Sequence, residues 1–460
     1  MNDLKKAMNE SALIRWGMLI LVSITMFANY YFYDALSPLK STLETQLNWS
    51  SSNYGFFVSA YSIPNVFLLM AVIGGIVLDK IGIRITGFVF VGFMVLGSAL
   101  TAYGASDTFL SGGPGYNFMN SIFKNLPPSL KMMTLGFFLF GLGAETSIVV
   151  FTKAIVKWFK GKDLALALGM NLAFGRLGMA AAMLISPSIE QNTNRIDPAI
   201  WFGTMLLLIG LLTFIVYMFY DKKLDKQLES SATEEEEEPF RLADIGKLLT
   251  NRSFIYITLL CVTFYSAVFP FVKYAPDLLS NKFGLDNELA GRITSILPFG
   301  TILFTPLFGT FTDRKGKSAS LMIYGSILLI LVHLIFSLTN ITPYIPMFLL
   351  GVAFSLIPAA MWPSVAKIVP EKRLGSAYGL MFSIQNIGLW AFPMLIGKVL
   401  DLSNPNITSE ALAAGTASYD YTNPILMLTV LGILGLFFAF LLKREDKVSG
   451  YGLELPNKKV

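Results

Sequence analysis

Residues 141–178 read GLGAETSIVVFTKAIVKWFKGKDLALALGMNLAFGRLG, which predicts two apolar helices joined by a short basic turn. Deep in each predicted helix lies one ionisable residue, Glu145 in the first and Arg176 in the second. The turn is centred between Lys160 and Gly161, so an antiparallel hairpin holds both charges at about the same depth, ~20 Å from the turn at 1.5 Å per residue. Charge at that depth in a bilayer is costly and typical of functional sites.

The composition around this hairpin indicates a membrane protein. Of 460 residues, 54% are hydrophobic and 14% charged, and the mean hydropathy is +0.60. Soluble domains carry about 25% charged residues, whereas here long apolar blocks alternate with short basic loops. The bilayer is therefore the expected partner, and the charge requires no nucleic acid. One cysteine, Cys261, and one histidine, His333, exclude a disulfide framework and most metal or thiol–imidazole chemistry, so we expect no cofactor, metal ligand or catalytic residue.

Twelve apolar stretches of about 20 residues predict an all-α protein with twelve transmembrane helices. They cover 15–37, 54–78, 85–104, 131–156, 164–187, 200–220, 253–278, 289–311, 319–339, 343–367, 374–399 and 423–442. Lys and Arg concentrate in the loops of one side, which predicts that both termini are cytoplasmic.

The same pattern divides the chain into two halves. Residues 1–222 and 252–445 are expected to form pseudo-symmetric six-helix halves, with a cytoplasmic linker at 223–251 and a cytoplasmic tail at 446–460. The linker contains an acidic run at 234–238, which we interpret as solvated; a regulatory segment is the alternative.

Two loops repeat between the halves. GIVLDKIGIR (75–84) and GTFTDRKGKS (309–318) both fit G-x-x-x-D-[KR]-x-G, and Asp79 matches Asp313 at an offset of 234 residues (313 − 79). A second correspondence, at an offset of 210 residues (386 − 176), places Asn386 opposite Arg176. Duplicated six-helix halves are typical of transporters whose site lies between the halves near the midplane.

These paired loops resemble the signature loops of the major facilitator superfamily, and the resemblance extends over essentially the whole chain. In that superfamily the loops stabilise one state of an alternating-access cycle. The resemblance therefore implies gating roles at five positions: Asp79, Lys80, Arg84, Asp313 and Arg314.

Four further stretches narrow the resemblance to one branch: NYYFYDALSPL (29–39), AYSIPNV (60–66), YSAVFPF (265–271) and MWPSVAKIVPEKRLGSAYGLMFSIQNIG (361–388). Together with the opening hairpin they resemble the lysosomal dipeptide transporters (major facilitator superfamily domain-containing protein type 1). This implies facilitated passage of dipeptides by a uniporter without a tight proton requirement, and we expect a monomer. Lysosomal members carry an acidic dileucine sorting signal and act with a glycoprotein partner. Residues 1–17 show no such signal, so we expect a bacterial inner membrane.

The hairpin charges suit a zwitterion independently of the resemblance. Glu145 could bind an ammonium group and Arg176 a carboxylate, because a guanidinium matches a carboxylate fork. The alternative is a structural ion pair in which the two residues neutralise each other.

Helix one adds Asn29, Tyr30 and Tyr33, which could hydrogen-bond a peptide backbone; an interfacial aromatic belt is the alternative for both tyrosines. Asp34 is the candidate outer gate.

The second half adds four candidate cavity residues: Tyr265, Trp362, Gln385 and Asn386. The Asn386 amide suits a peptide bond, while ordinary helix packing is the alternative for Trp362.

Lys273 and Asp277 are four residues apart at the outer end of helix seven. A gate and a surface ion pair between them both fit, and we expect the surface pair. For His333 we expect a hydrogen-bonded or lipid-facing side chain, and a proton relay is the alternative.

Two other functions remain open. The first is a proton-coupled symporter or exporter of another small zwitterion or organic anion, in which Glu145 titrates. The second is a membrane sensor or enzyme, against which stand the short linker, the twin loops and the lack of a catalytic constellation. We therefore do not expect an enzyme.

Overall fold

Residues 8–228 and 246–457 are the part of the chain described by the computed structural model, and within them every regular element is helical. The first half contains α1 Ala12–Asp34, α2 Lys40–Leu47, α3 Ser51–Ser59, α4 Ile63–Phe67, α5 Met70–Gly104, α6 Asp107–Leu110, α7 Tyr116–Ser121, α8 Pro128–Phe159, α9 Leu164–Thr193 and α10 Asp197–Leu228. The second contains α11 Arg252–Phe283, α12 Asn287–Thr294, α13 Ile296–Lys315, α14 Ser318–Leu338, α15 Tyr344–Ile368, α16 Leu374–Ser403, α17 Ser409–Ala413 and α18 Thr422–Ser449.

Eleven helices of the described residues are long and apolar enough to cross a membrane. They correspond to the predicted stretches except for 54–78. That stretch is divided among α3, a 3-10 turn at Ala60–Ser62, α4 and the start of α5. Pro64 lacks a backbone donor and restricts the residue before it, and Leu69 has a left-handed backbone (φ 51°), so no continuous helix forms there.

The turn predicted between the second and third spans lies inside α5. Gly82 has φ 80° and ψ 167°, which interrupts the helix and divides it into 70–81 and 83–104. Glycine adopts this conformation readily because it has no Cβ atom. The number of membrane crossings stays a prediction, since the second stretch is too fragmented to be recognised as a span.

Most contacts of α1–α10 are with one another, and so are most contacts of α11–α18; α3 is an exception, because it packs mainly against α16. The boundaries of the two halves stay a prediction. Helix α10 continues into the predicted linker as far as Leu228, and the acidic run at 234–238 lies outside the described residues.

The two halves converge at one end of the helix bundle. We call the end formed by residues 34–54, 271–283 and 401–421 the closed end, because α3 packs against α16 there and α2 against α11. We call the opposite end, formed by 75–84, 309–318 and the ends of the described chain, the open end. The two halves make few contacts at the open end. One of them is between the first turn of α5 and α16.

Candidate functional site

The opening hairpin is formed by α8 and α9. Gly161 (φ 77°) and Asp163 (φ 52°) have left-handed backbones that reverse the chain between the helices. Lys160 N donates to the Val156 carbonyl and Lys162 N to the Phe159 carbonyl, at 2.8 Å each, so the end of α8 is capped by the turn. The predicted short turn is present, but α8 and α9 make few contacts with each other, because α8 packs mainly against α5 and α9 mainly against α1. The equal depth of Glu145 and Arg176 stays a prediction.

Glu145 is half-buried on α8 and is held by the broken second stretch. The Tyr61 hydroxyl donates to Glu145 Oε1 at 2.8 Å, and the Asn65 side chain lies beside the same carboxylate. Asn65 Nδ2 in turn donates to Asn386 Oδ1 on α16 at 3.4 Å. The acidic residue of the first half is therefore connected to the second half through one amide.

Arg176 is half-buried on α9 and lies between aromatic rings of both halves. Its Cζ atom is 5.9 Å from the centre of the Tyr30 ring and 4.8 Å from that of Phe354, distances at which a cation is attracted to the ring face. Arg176 Nη1 is buried and has no hydrogen-bond partner among the described residues. A guanidinium in this position has free donors for a carboxylate fork.

Glu145 and Arg176 do not form an ion pair with each other in this structure. Glu145 uses Tyr61, and Arg176 uses the rings of Tyr30 and Phe354. This conformation therefore does not contain the alternative, a direct ion pair in which Glu145 and Arg176 neutralise each other. Two opposite charges are kept apart in the interior, one on each helix of the hairpin.

The second-half candidates separate into three groups. Trp362 Nε1 donates to the Tyr265 hydroxyl at 3.1 Å, and the Tyr265 ring lies 6.2 Å from the Phe354 ring that contacts Arg176. Asn386 joins the Glu145 side through Asn65. Gln385 is buried and accepts a contact from Cys261 Sγ at 3.4 Å, so the structure places it within the second half and away from both charges.

The helix-one candidates lie inside the bundle. Tyr30 contacts Arg176, and the Tyr33 ring lies 4.5 Å from the Tyr61 ring. Asn29 is buried at 2% exposure. An interfacial belt would place the tyrosine rings on the outer surface, so that alternative does not describe Tyr30 and Tyr33.

The expected surface pair between Lys273 and Asp277 is wrong. Lys273 Nζ bonds Asp34 Oδ1 at 2.6 Å, and Asp277 Oδ2 bonds Lys40 Nζ at 2.8 Å, so each residue pairs with the first half. Exposures of 2% for Lys273 and 4% for Asp277 show that neither lies at the surface. Asp34 is thus part of a contact between the halves at the closed end.

The candidate gating residues of the signature loops lie at the open end. Asp79 Oδ1 bonds Lys153 Nζ at 2.5 Å, and Arg84 Nη1 bonds Asp221 Oδ2 at 3.0 Å, both within the first half. Asp313 Oδ1 accepts a hydrogen bond from Asn457 Nδ2 at 3.2 Å, and the side chains of Lys80 and Arg314 are exposed. Their gating roles stay a prediction.

The expectation for His333 is wrong in both of its forms. The ring is fully buried inside the second half, 5.3 Å from the Phe271 ring. Neither ring nitrogen has a hydrogen-bond partner among the described residues. Helix α14 packs against α15 and α18, and the Phe271 ring of α11 lies beside the imidazole, so this face of α14 is turned toward the interior.

Tyr61, Asn65 and Phe354 belong to the site although the sequence did not identify them as candidates. Tyr61 and Asn65 flank Pro64 inside an apolar stretch, and polar residues around a helix break at membrane depth are typical of a cavity wall. That signal was present in the AYSIPNV stretch. Phe354 carries no such signal, because an apolar ring in an apolar helix looks like ordinary packing. No group of potential metal ligands occurs among the residues that the structure describes.

The family model of the Major Facilitator Superfamily matches residues 22–393 and 274–456 of the chain. The lysosomal dipeptide transporter MFSD1 of Danio rerio is 30% identical over 395 residues, covering 84% of this chain and 80% of the relative. The Homo sapiens protein of the same name is 28% identical over 394 residues, covering 84% and 79%. The resemblance to this family is therefore confirmed.

Solved structures show the same fold. A crystal structure described as a bacterial homolog of the human lysosomal transporter Spinster, inward-facing and occupied, aligns with a TM-score of 0.67 at 13% identity, covering 94% of this chain and 98% of the other. The D-xylose-proton symporter aligns with a TM-score of 0.68 at 15% identity, covering 97% and 99%.

Proposed function

The chain belongs to the Major Facilitator Superfamily, and we propose that it is a uniporter that moves dipeptides across its membrane by alternating access. Membership of this family makes it a multi-pass membrane transporter and not an enzyme. The proposal is carried by one observation: Arg176 and Glu145 lie unpaired with each other between the two halves. The name that the MFSD1 relatives bear supports the substrate class.

The separated charges suit the two ends of a short peptide. In our proposal Arg176 Nη1 and its neighbouring donors bind the carboxylate of the substrate, and Glu145 binds its ammonium group. The Tyr61 hydroxyl orients the Glu145 side chain. An extended dipeptide spans at most ~7 Å, so both ends are held only if the two anchors are kept apart. A direct Glu145–Arg176 pair would leave no room for the substrate.

Between the anchors the proposed site is neutral and polar or aromatic. The Asn386 amide, linked to Asn65, offers both a donor and an acceptor to a peptide bond. Tyr30, Phe354 and the Tyr265–Trp362 pair form an aromatic wall next to Arg176. Asn29, Tyr33 and Gln385 do not contact either anchor in this conformation, and we place them outside the first layer around the substrate.

The orientation completes the proposal. Basic loops predict that the open end faces the cytoplasm with both termini, so this conformation is inward-facing. The closed end then faces the opposite compartment, and transport requires the halves to separate there and to meet at the signature loops. A bacterial inner membrane rather than a lysosome, and a monomeric state, are further parts of the proposal that rest on the sequence alone.

The decisive experiment measures dipeptide uptake into proteoliposomes by the Glu145→Gln, Arg176→Ala double variant. We expect uptake to be lost, because both charge-assisted contacts are removed. The control carries the same two substitutions at Glu288 and Arg292, an exposed ion pair at the closed end, and should transport normally. Circular dichroism and size-exclusion chromatography confirm folding. Unchanged uptake by the Glu145–Arg176 variant would overturn the site.

Blocked peptides assign each anchor to one end of the substrate. N-acetylation removes the ammonium group, so it should weaken binding to the wild type but have little further effect in Glu145→Gln. C-amidation should show the same relation with Arg176→Ala. Equal sensitivity of both variants to both modifications would contradict the assignment, because a substitution and a modification that remove the same contact are not additive.

A further inference from the structure

A buried cluster of charged residues joins the two halves at the closed end. Lys40 Nζ lies 2.8 Å from Glu44 Oε1 on its own helix and 2.8 Å from Asp277 Oδ2 on α11. Both carboxylates therefore share one ammonium group. Lys40 and Glu44 have 0% exposure and Asp277 has 4%, so water does not screen them.

A second ion pair belongs to the same cluster. Lys273 Nζ bonds Asp34 Oδ1 at 2.6 Å, and its ammonium also lies 3.4 Å from the centre of the Tyr33 ring. Asp34 is 1% and Lys273 2% exposed. Lys273 lies one helical turn from Asp277 on α11, so both pairs form a single buried layer.

The charges in this layer do not balance. Three carboxylates, those of Asp34, Glu44 and Asp277, face two ammonium groups. Each carboxylate also has one buried oxygen without a hydrogen-bond partner among the described residues: Asp34 Oδ2, Glu44 Oε2 and Asp277 Oδ1. An uncompensated charge in a buried site is neutralised rather than tolerated.

The groups around the layer do not supply the missing positive charge. Four tyrosines face it from three elements: Tyr54, Tyr274, Tyr419 and Tyr421. Burial raises the pKa of Tyr419 to about 12 and that of Tyr421 above its ordinary value, so both are neutral. The Tyr421 hydroxyl donates to Asp277 Oδ2, and the Ser51 hydroxyl donates to Glu44 Oε1 at 2.6 Å.

Three more charged residues lie nearby. Asp401 on α16 accepts hydrogen bonds from Ser51 N at 3.1 Å and Ser52 N at 2.8 Å, so the N-terminus of α3 stabilises its charge. Arg176 faces Asp34 from the substrate site, but Glu145 lies in the same site. Together these two substrate anchors add no net charge.

We propose that the closed cluster binds one proton on Glu44, whose Oε2 is buried without a hydrogen-bond partner among the described residues beside Lys40, and takes it up when this end of the transporter closes. The proposal rests on alternating access, because it requires this end to open and close. In the closed state three carboxylates, two ammonium groups and one proton give a neutral layer. In the open state water solvates the carboxylates, and the proton is released.

The proton enters from and returns to the compartment that the closed end faces. It therefore does not cross the membrane, and transport remains uniport. Its effect is on the conformational equilibrium: the closed state holds one more proton than the open state, so acidification favours closure. The cluster has one pKa in the closed state and a lower one in the open state. Between these two values, the ratio of closed to open molecules rises by up to tenfold for each unit by which the pH falls.

The test measures distances across both ends of the full-length protein in detergent or nanodiscs. Spin labels at Lys124→Cys and Asn340→Cys report on the closed end, and labels at Lys160→Cys and Lys315→Cys report on the open end. We expect the closed-end population of the wild type to increase as pH falls, approaching tenfold per unit. In Glu44→Gln, which is neutral without a proton, this slope should disappear.

The matched control is Glu410→Gln, an exposed acid at the same end, which should keep the wild-type slope. A wild-type ratio that responds to dipeptide but not to pH overturns the proton site. A ratio that follows the sodium concentration at fixed pH also overturns it, in favour of a cation. If neither distance responds to dipeptide, alternating access itself fails. Asp277→Asn replaces Glu44→Gln should the latter not fold.

Discussion

The two ends of the transporter hold their charges in opposite ways. At the closed end, Lys40–Asp277 and Lys273–Asp34 are buried ion pairs that each join one half to the other. At the open end, the exposed Asp79–Lys153 pair stays within the first half, and so does Asp221, which is 1% exposed and pairs with Arg84 and Lys157. Buried ion pairs therefore join the two halves at the closed end, whereas these pairs at the open end each lie within one half.

The open end of the second half is also held within its own half by the tail that follows α18. Lys317 N donates to the Glu454 carbonyl at 3.1 Å and Ser318 N to the Leu453 carbonyl at 3.0 Å. Lys367 Nζ donates to the Leu455 carbonyl at 2.7 Å. The second signature loop therefore makes backbone hydrogen bonds with the C-terminal tail of its own half.

Glycines show the same difference between the ends. A Cβ atom on Gly55 would lie 2.3 Å from the Pro393 carbonyl oxygen, and one on Gly397 would lie 2.2 Å from the Ser51 carbonyl oxygen. At the open end, Cβ atoms on Gly75 and Gly309 would meet nothing within 4 Å. Of these four glycines, only the two at the closed end lie against the other half in this structure.

The largest effect is expected from Lys273→Met at the closed end. The substitution leaves Asp34 buried without its ammonium partner, and breaking a buried pair in this way costs about 3–5 kcal/mol. The population closed at this end should fall more than a hundredfold relative to the open one, measured by distances between spin labels on the two halves.

Removing both charges provides the control for Lys273→Met. In the Lys273→Met, Asp34→Asn double variant no buried carboxylate is left unpaired, so most of the closed population should return. If the double variant has as small a closed population as Lys273→Met alone, the Lys273–Asp34 pair stabilises closure through side-chain packing and not through charge.

A smaller effect is expected from Gly397→Ala, which tests the close approach without changing charge. The added methyl group would overlap the Ser51 backbone, which cannot move without α3, and overpacking of this kind costs about 1–3 kcal/mol. The closed population should fall about five- to hundredfold in the same distance measurement. Gly92→Ala is the matched control: it adds a methyl group inside α5 that would meet nothing within 4 Å, it lies outside both signature loops, and it should leave the ratio unchanged. Equal effects of both variants would mean that the loss comes from an added methyl group in a helix and not from the close approach at the closed end.

Local patterns in the sequence predict most of the helices and the turn between α8 and α9, whereas contacts between residues far apart in the chain are not visible in them. Glu145 and Arg176 stood out because a charge inside an apolar helix is visible in one sequence. Lys273 and Asp277 were wrongly paired with each other, because their spacing is visible whereas their partners Asp34 and Lys40 lie more than 200 residues away. The stretch 54–78 is hydrophobic enough to be predicted as one continuous helix, although Pro64 lies inside it. The sequence therefore does not single out Tyr61 and Asn65, which flank this proline.

The smallest effect is expected from Lys153→Met at the open end, the counterpart of Lys273→Met. Asp79 and Lys153 are also joined by a short contact, but their side chains are 58% and 39% exposed. Water screens both charges, so losing the pair costs about 0–1 kcal/mol. The ratio of molecules closed to molecules open at the closed end should therefore change by less than about fivefold. The Asp79–Lys153 pair lies within the first half, whereas Lys273–Asp34 joins the two halves, so the two variants differ both in burial and in whether the pair crosses between the halves. Salt should weaken the Lys153 effect and leave the Lys273 effect nearly unchanged, because ions screen only the exposed pair. A Lys153→Met shift as large and as salt-resistant as that of Lys273→Met would mean that the signature loop is buried between the halves in the other state.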